Sequence, residues 1–427
     1  MSNGVGNFKR AATRFKAAHS SSVYFFLGSI VAAGLNFLFQ ALMSRMLGPN
    51  LYGALGSLLG LITVVTLVAS ALQAAVTHAV ASGEHLSGDQ ANGLVLGRSI
   101  IRLIVAATFF LAVTSATSPL LERYLHLNSI APVILFGLFL ALNVLCIIPQ
   151  GVLIGRFEFQ TVANALIANA LARCIFGVVL VKLHFGLNGA MAAAVLGTIV
   201  QVGILAYPIR VELVRFGSHK HRLVRLRSVM LAVVSLGGVS AFIGIDSVLA
   251  RHYLPRIEGG YYVSAATGAR IALFLPGAIT SMAFARLSKA VGEATQTRRL
   301  LAISFAMVAT LGVGVAIGII FFSHLVISIL FGSKFRTAAS TIQILAVSAA
   351  EMGILSLLTY FCLAHKSLLA TISWIGVAGV ALVIWIQHNS PNEIAWVMLV
   401  ATSLILVAQA AAALWLARPV HSAAEPS

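Results

Sequence analysis

The feature that most constrains this chain is a string of apolar runs, each near or above twenty residues and separated by short polar breaks. They fall near 22–44, 52–81, 99–118, 129–153, 162–181, 187–208, 228–250, 260–285, 300–322, 338–363, 367–387 and 393–416. A membrane-spanning helix needs roughly 20 mostly apolar residues, and it satisfies its backbone polar groups internally where no water can. The pattern predicts an all-α membrane protein of about twelve transmembrane helices. The second and eighth runs are long enough for tilt or an interfacial extension. Composition agrees: 9% of residues are charged and 59% are hydrophobic, against about 25% charged in a soluble domain. A set of soluble domains and a disordered chain are both excluded.

Charge is scarce but lopsided, with 28 Lys and Arg against 11 Asp and Glu and a net +17. In a soluble chain this balance points to nucleic acid. Here the basic residues fall in loops, so they read as a topology signal and no nucleic-acid partner is expected. With the N-terminus inside, nineteen of the 28 lie on inner segments and seven on outer ones, leaving Arg173 and Arg270 within spans. Cytoplasmic loops carry such an excess, so both termini are expected in the cytoplasm of a multi-pass inner-membrane protein. The run from Val23 is too long for a signal-peptide core and is read as a retained first span.

These runs divide the chain into a basic N-terminus (1–21), a six-helix bundle (22–208), a basic linker (209–227), a second six-helix bundle (228–417) and a tail (418–427). The linker carries Arg210, Arg215, Lys220, Arg222, Arg225 and Arg227, a composition suited to anionic headgroups. A faint repeat joins the halves. Arg45, Pro49 and Gly53 follow the first span, and Arg251, Pro255 and Gly259 follow the seventh. Both read R-x3-P-x3-G. Proline ends a helix and glycine permits the turn, so each marks a tight outer turn. Parallel repeats of this kind are common in transporters.

The chain has no phosphate-binding loop and no H-E-x-x-H motif, and its aspartates are Asp89 and Asp246 alone. Cys146, Cys174 and Cys362 each sit in an apolar run and read as packing residues. No metal, no cofactor and no enzymatic activity are expected.

Ionisable groups at mid-bilayer need a protein partner or a wet cavity, so each is a candidate for function. Arg173 lies near the middle of span five, one turn after Asn169 on the same face. A guanidinium suits phosphate or pyrophosphate. The alternative is an interhelical bond to carbonyls or Glu351. Arg270, in span eight, is a second phosphate candidate or a structural partner for Asp246 or Glu351. Glu351 in span ten could carry a proton or neutralise an arginine. Asp246 could coordinate a coupling cation or brace the turn between spans seven and eight. Asn36 and Gln40 share one face of span one and could line the same cavity. Asn143, Asn164, Gln73 and Gln201 read as interhelical hydrogen-bonding groups.

Three stretches carry a resemblance to a known family: Ser44–Gly53, the pattern Asp246…Gly259-Gly-Tyr-Tyr-Val-Ser-Ala265, and Leu330–Leu345. They resemble the polysaccharide-transport proteins, oligosaccharide-lipid flippases of the multidrug/oligosaccharidyl-lipid/polysaccharide exporter superfamily. The stretch Glu258-Gly-Gly-Tyr261 departs from that family's less interrupted glycine-then-tyrosine pattern. The resemblance implies two six-helix bundles with pseudo-twofold symmetry around a cationic cavity. It implies flipping of undecaprenyl-pyrophosphate-linked oligosaccharide by alternating access, driven by a proton or sodium gradient. Glycosyltransferases and a glycan polymerase are its implied partners. Two alternatives stand beside it. A multidrug/cation antiporter of the same superfamily expects acidic cavity residues, whereas two arginines against one glutamate favour an anionic substrate. A membrane-embedded glycan polymerase or ligase expects a long outer loop that this chain lacks.

Overall fold

The computed structural model describes residues 2–81, 104–210, 226–273, 276–277, 280 and 294–416. Residues 211–225 of the basic linker, the tail, Arg98, Arg102, Arg286 and Lys289 lie outside the described residues, as do the side chains of the basic N-terminus. The described residues form helices and connecting turns, with no strand among them. They comprise α1 (Ser2–Ala81), α2 (Ile104–Ala116), α3 (Ser118–Tyr124), α4 (Ala131–Gly155), α5 (Phe159–Lys182) and α6 (Gly186–Ala206). After the linker come α7 (Leu226–Tyr253), α8 (Arg256–Ala269), α9 (Ala294–Phe321), α10 (Ser323–Leu330), α11 (Ala339–Ala364), α12 (Ser373–Ile386) and α13 (Pro391–Leu416).

Nine described helices are long and apolar enough to cross a membrane, or ten if the bent α2–α3 pair is one span. The difference from twelve runs has a local origin. The first and second runs form one element, α1, broken at Gly48, where φ is 71° and ψ is 175°. That left-handed region is open to glycine and costly to other residues, and Pro49 follows it. The eighth run contributes α8, 14 residues long, and much of its remainder lies outside the described residues.

The chain divides into two compact units. The first comprises Met1–Leu47 and Ala69–Val229, the second Gly48–Val68 and Met230–Ser427. In the first, Val144, Ile148, Val152, Val162 and Leu205 form a buried core. In the second, Leu357, Phe361, Cys362, Ala370 and Ala413 form another. Outside these cores, Phe109, Ile175 and Val179 of the first unit and Leu404, Val407 and Leu414 of the second are exposed. An apolar surface this extensive is a liability in water and a requirement in lipid.

The second unit holds residues 48–68 through glycine. A Cβ on Gly53 would sit 2.8 Å from Gly260 Cα, and one on Gly260 would sit 1.9 Å from the Pro49 carbonyl oxygen. Gly60 similarly approaches the Gly244 carbonyl. Arg251 closes the contact: its Nη1 donates to the Arg256 carbonyl at 2.8 Å and its Nη2 to Asn50 Oδ1 at 3.1 Å. The turns of the two R-x3-P-x3-G motifs thus pack directly on one another. Small residues permit such close backbone approach between membrane helices.

Candidate functional site

In the first unit, α1 and α5 run parallel, and their contacts rise in step. The Tyr24 hydroxyl donates to Asn164 Oδ1 at 2.7 Å. Cys174 Sγ donates to the Leu35 carbonyl at 3.3 Å. Gly177 faces the Phe39 ring and Met43. At the middle of this seam, Arg173 Nη1 donates to Asn36 Oδ1 at 3.2 Å. Asn36 Nδ2 is held in turn by the Ala32 carbonyl at 3.0 Å. The guanidinium carbon stands 5.5 Å from the Phe39 ring centroid and 5.1 Å from that of Phe139 on α4. Both are within cation–π range.

Arg173 has no carboxylate within 4 Å among the described residues. Its Nε is buried without a hydrogen-bond partner. One turn before it, Asn169 Nδ2 donates to Gln201 Oε1 on α6, while Asn169 Oδ1 is buried without a partner. One turn after Asn36, Gln40 Oε1 is in the same state. Most buried polar atoms are satisfied, and each exception costs about 1–3 kcal/mol. The Asn169 amide faces α6, with Oδ1 against Gly197, whereas Arg173 belongs to the α1/α5 contact through Asn36. A guanidinium with donors to spare takes an anionic oxygen, and a free carboxamide oxygen takes a hydroxyl or amide donor.

The second unit treats its charges differently. Arg270, at the C-terminal end of α8, donates from Nη2 to Asp246 Oδ1 at 2.9 Å, to Ser247 Oγ at 2.9 Å and to the Ile243 carbonyl at 2.8 Å. Both charged side chains are largely buried, 14% and 5% exposed. The Tyr262 hydroxyl donates to the other Asp246 oxygen at 3.2 Å. The pair ties α7 to α8 and neutralises itself. Glu351, on α11, is half-buried, and both its oxygens accept from Ser403 Oγ on α13 at 3.0 Å. No cation lies within 4 Å of it among the described residues.

The structure therefore joins Arg173 to Asn36 across α5 and α1, turns the Asn169 amide toward Gln201 and Gly197 on α6, leaves Gln40 one turn beyond Asn36 on α1, and places Arg270 with Asp246 in an ion pair within the other unit. The Phe39 and Phe139 rings beside Arg173, the Tyr262 and Ser403 donors and the Ser247 hydroxyl that accepts from Arg270 stand outside the sequence candidates. Phe39 stands three residues after Asn36, so helical spacing could have suggested it. The other partners come from separate helices and carry no local signal.

The described residues are almost entirely helical, in two compact units with extensive exposed apolar surface, as a multi-pass membrane protein requires. Comparison with known proteins makes this specific. Residues 42–340 match the model of a family described as "Polysaccharide biosynthesis protein". The chain belongs to that family. A comparison with curated proteins gives no match. Solved structures share its fold at low identity. An inward-facing multidrug resistance MATE family transporter of the MOP superfamily is 15% identical with a TM-score of 0.73, covering 91% of this chain and 97% of that one. The lipid II flippase MurJ, inward closed, is 13% identical with a TM-score of 0.68, covering 91% and 87%. A MOP superfamily transporter from Pyrococcus furiosus, described as having a binding pocket of reversed polarity, is 15% identical with a TM-score of 0.58, covering 94% of each.

Proposed function

We propose that this chain flips undecaprenyl-pyrophosphate-linked oligosaccharide across the bacterial cytoplasmic membrane by alternating access, as a step in polysaccharide export. One observation carries the reading: Arg173 is a buried cation that no acid of the described chain neutralises. A sugar headgroup cannot cross hydrocarbon alone, and its phosphates are anionic. A guanidinium held between two aromatic rings, with an unused Nε–H, offers them charge and directed donors while the prenyl chain stays in lipid. Family membership and the flippase fold of MurJ support the same direction. In this reading both termini face the cytoplasm, and glycosyltransferases supply the substrate that a polymerase later consumes.

Coupling to a proton or sodium gradient falls to Glu351 rather than Asp246. Asp246 already has Arg270 as its counter-ion, whereas Glu351 has only a hydroxyl. That free carboxylate is also the one feature favouring the second reading, a multidrug/cation antiporter. The two readings separate in one experiment. A deletion strain should accumulate lipid-linked glycan on the inner leaflet, and Arg173→Ala should fail to restore export while inserting normally. Full export by Arg173→Ala, together with resistance to cationic dyes that Glu351→Gln abolishes, would overturn the flippase in favour of the antiporter.

A further inference from the structure

The segment after α9 carries apolar side chains on two opposite faces. α9 ends at Phe321, and Phe322 leaves helical geometry with φ −111° and ψ 25°. Gln343 of α11 holds this break: its Nε2 donates to the Ile320 carbonyl at 3.1 Å and to Ser323 Oγ at 2.9 Å. From there the buried positions recur every four residues, at Ser323, Ile327, Phe331 and Phe335. The rings of Phe331 and Phe335 each stand 5.8 Å from that of Tyr52. Gly332, at φ 97°, turns the chain between them. The other face of α10 shows Leu325 and Ile329, one turn apart and 55% and 58% exposed, after the exposed rings of Phe321 and Phe322. Lys334 and Arg336 flank the buried Phe335 and are exposed, with no carboxylate within 4 Å among the described residues. The first unit repeats the pattern after α2. There α3 is bent from α2 by 56°. Ser118 is buried and Leu120, two residues on, is exposed, just as Ser323 and Leu325 are. Arg123, in the last turn of α3, is exposed.

We propose that α10 lies in the headgroup layer at one membrane face and that Lys334 and Arg336 bind anionic phospholipid there. A helix whose free face is leucine and isoleucine is a liability in water. At the end of a span it can turn that face to acyl chains, as interfacial helices do. The two cations come just after the apolar face ends, which is where lipid phosphates begin. Charge complementarity selects the lipid. Each basic residue near an anionic surface raises affinity about fivefold, and a zwitterionic headgroup offers no such gain. In the orientation proposed above this is the outer face, and α3 falls on it too. The partner is the bilayer's own phospholipid, so the inference holds whatever Arg173 binds.

The test places a bimane fluorophore on Leu325→Cys in the full chain, reconstituted in phosphatidylcholine vesicles. Cys146, Cys174 and Cys362 are buried, and the parent chain sets the labelling background. Aqueous iodide should leave the fluorophore unquenched, as acyl surroundings require. Nitroxide-labelled phosphatidylglycerol should quench it at about twenty-fivefold lower mole fraction than nitroxide-labelled phosphatidylcholine, fivefold for each of two charges. Lys334→Gln should cut that preference to about fivefold, and Lys334→Gln/Arg336→Gln should abolish it. Lys182→Gln, at an exposed lysine ending α5, should leave it intact. Strong iodide quenching overturns the interfacial placement. Equal quenching by the two lipids overturns the lipid site, as does a preference that survives the double variant or disappears with Lys182→Gln. Displacement of the labelled phosphatidylglycerol by equimolar farnesyl diphosphate would assign the site to a diphosphate ligand and overturn it as well.

Discussion

Arg173 and Arg270 have the same chemistry, lie in spans of opposite halves, and meet opposite fates. Arg270 is neutralised by Asp246 and donates also to a hydroxyl and a carbonyl. Arg173 is given one carboxamide and two aromatic rings, and its charge stays. A buried pair is weak evidence for stability in itself, but breaking it strands a charge and is costly. An unpaired buried cation does the reverse: it burdens the fold and is retained where it has work with a ligand. The second unit thus uses its guanidinium as a brace, and the first leaves its own without a counter-ion among the described residues.

The largest test of this contrast is functional. Arg173→Ala should reduce glycan export by at least about a hundredfold, the loss expected of a charge-assisted contact made to the moving headgroup. Arg173→Lys should recover only part, because an ammonium lacks the planar fork. Export measured in a complemented deletion strain decides it, and normal export by Arg173→Ala would remove the contrast. Next comes Asp246→Ala. It should lower the stability of the purified protein by about 3–5 kcal/mol, by leaving Arg270 buried and uncompensated. The neutral double variant Asp246→Asn/Arg270→Gln should be milder than the single change. Thermal unfolding in detergent measures both, and equal losses would show that the pair is no brace. Gly260→Ala should also destabilise the second unit, since its Cβ would meet the Pro49 carbonyl. Gly34→Ala, with nothing within 4 Å of its Cβ, is the control, and similar unfolding temperatures would refute the crossing. Smallest is Ser403→Ala, which removes one hydroxyl from Glu351 at a cost of about 1 kcal/mol. A shift in the pH profile of export without loss of maximum rate would tie Glu351 to coupling. An unchanged profile would count against it.

Much of this was legible beforehand. Twelve apolar runs announce a helical membrane protein, because the length of a span is set by bilayer thickness and not by its neighbours. Helical periodicity also places Asn169 with Arg173, and Asn36 with Gln40, each on a common face. The level at which those two faces meet was not readable, since it depends on how α1 and α5 slide against each other. Nor was the recruitment of residues 48–68 into the second unit readable. The second apolar run predicts a span, and only the close approach at Gly53 and Gly260 shows which partners its first part takes.

The linear order of residues determined the solvent, the helical class and the short list of charged groups that bilayer would tolerate only with a purpose. Tertiary structure decided which of them meets a counter-charge. Hydropathy is a property of each segment and survives any packing. Neutralisation requires a carboxylate oxygen within about 3 Å of a nitrogen, and α7 supplies that to Arg270 of α8 while α1 offers Arg173 only a neutral carboxamide oxygen.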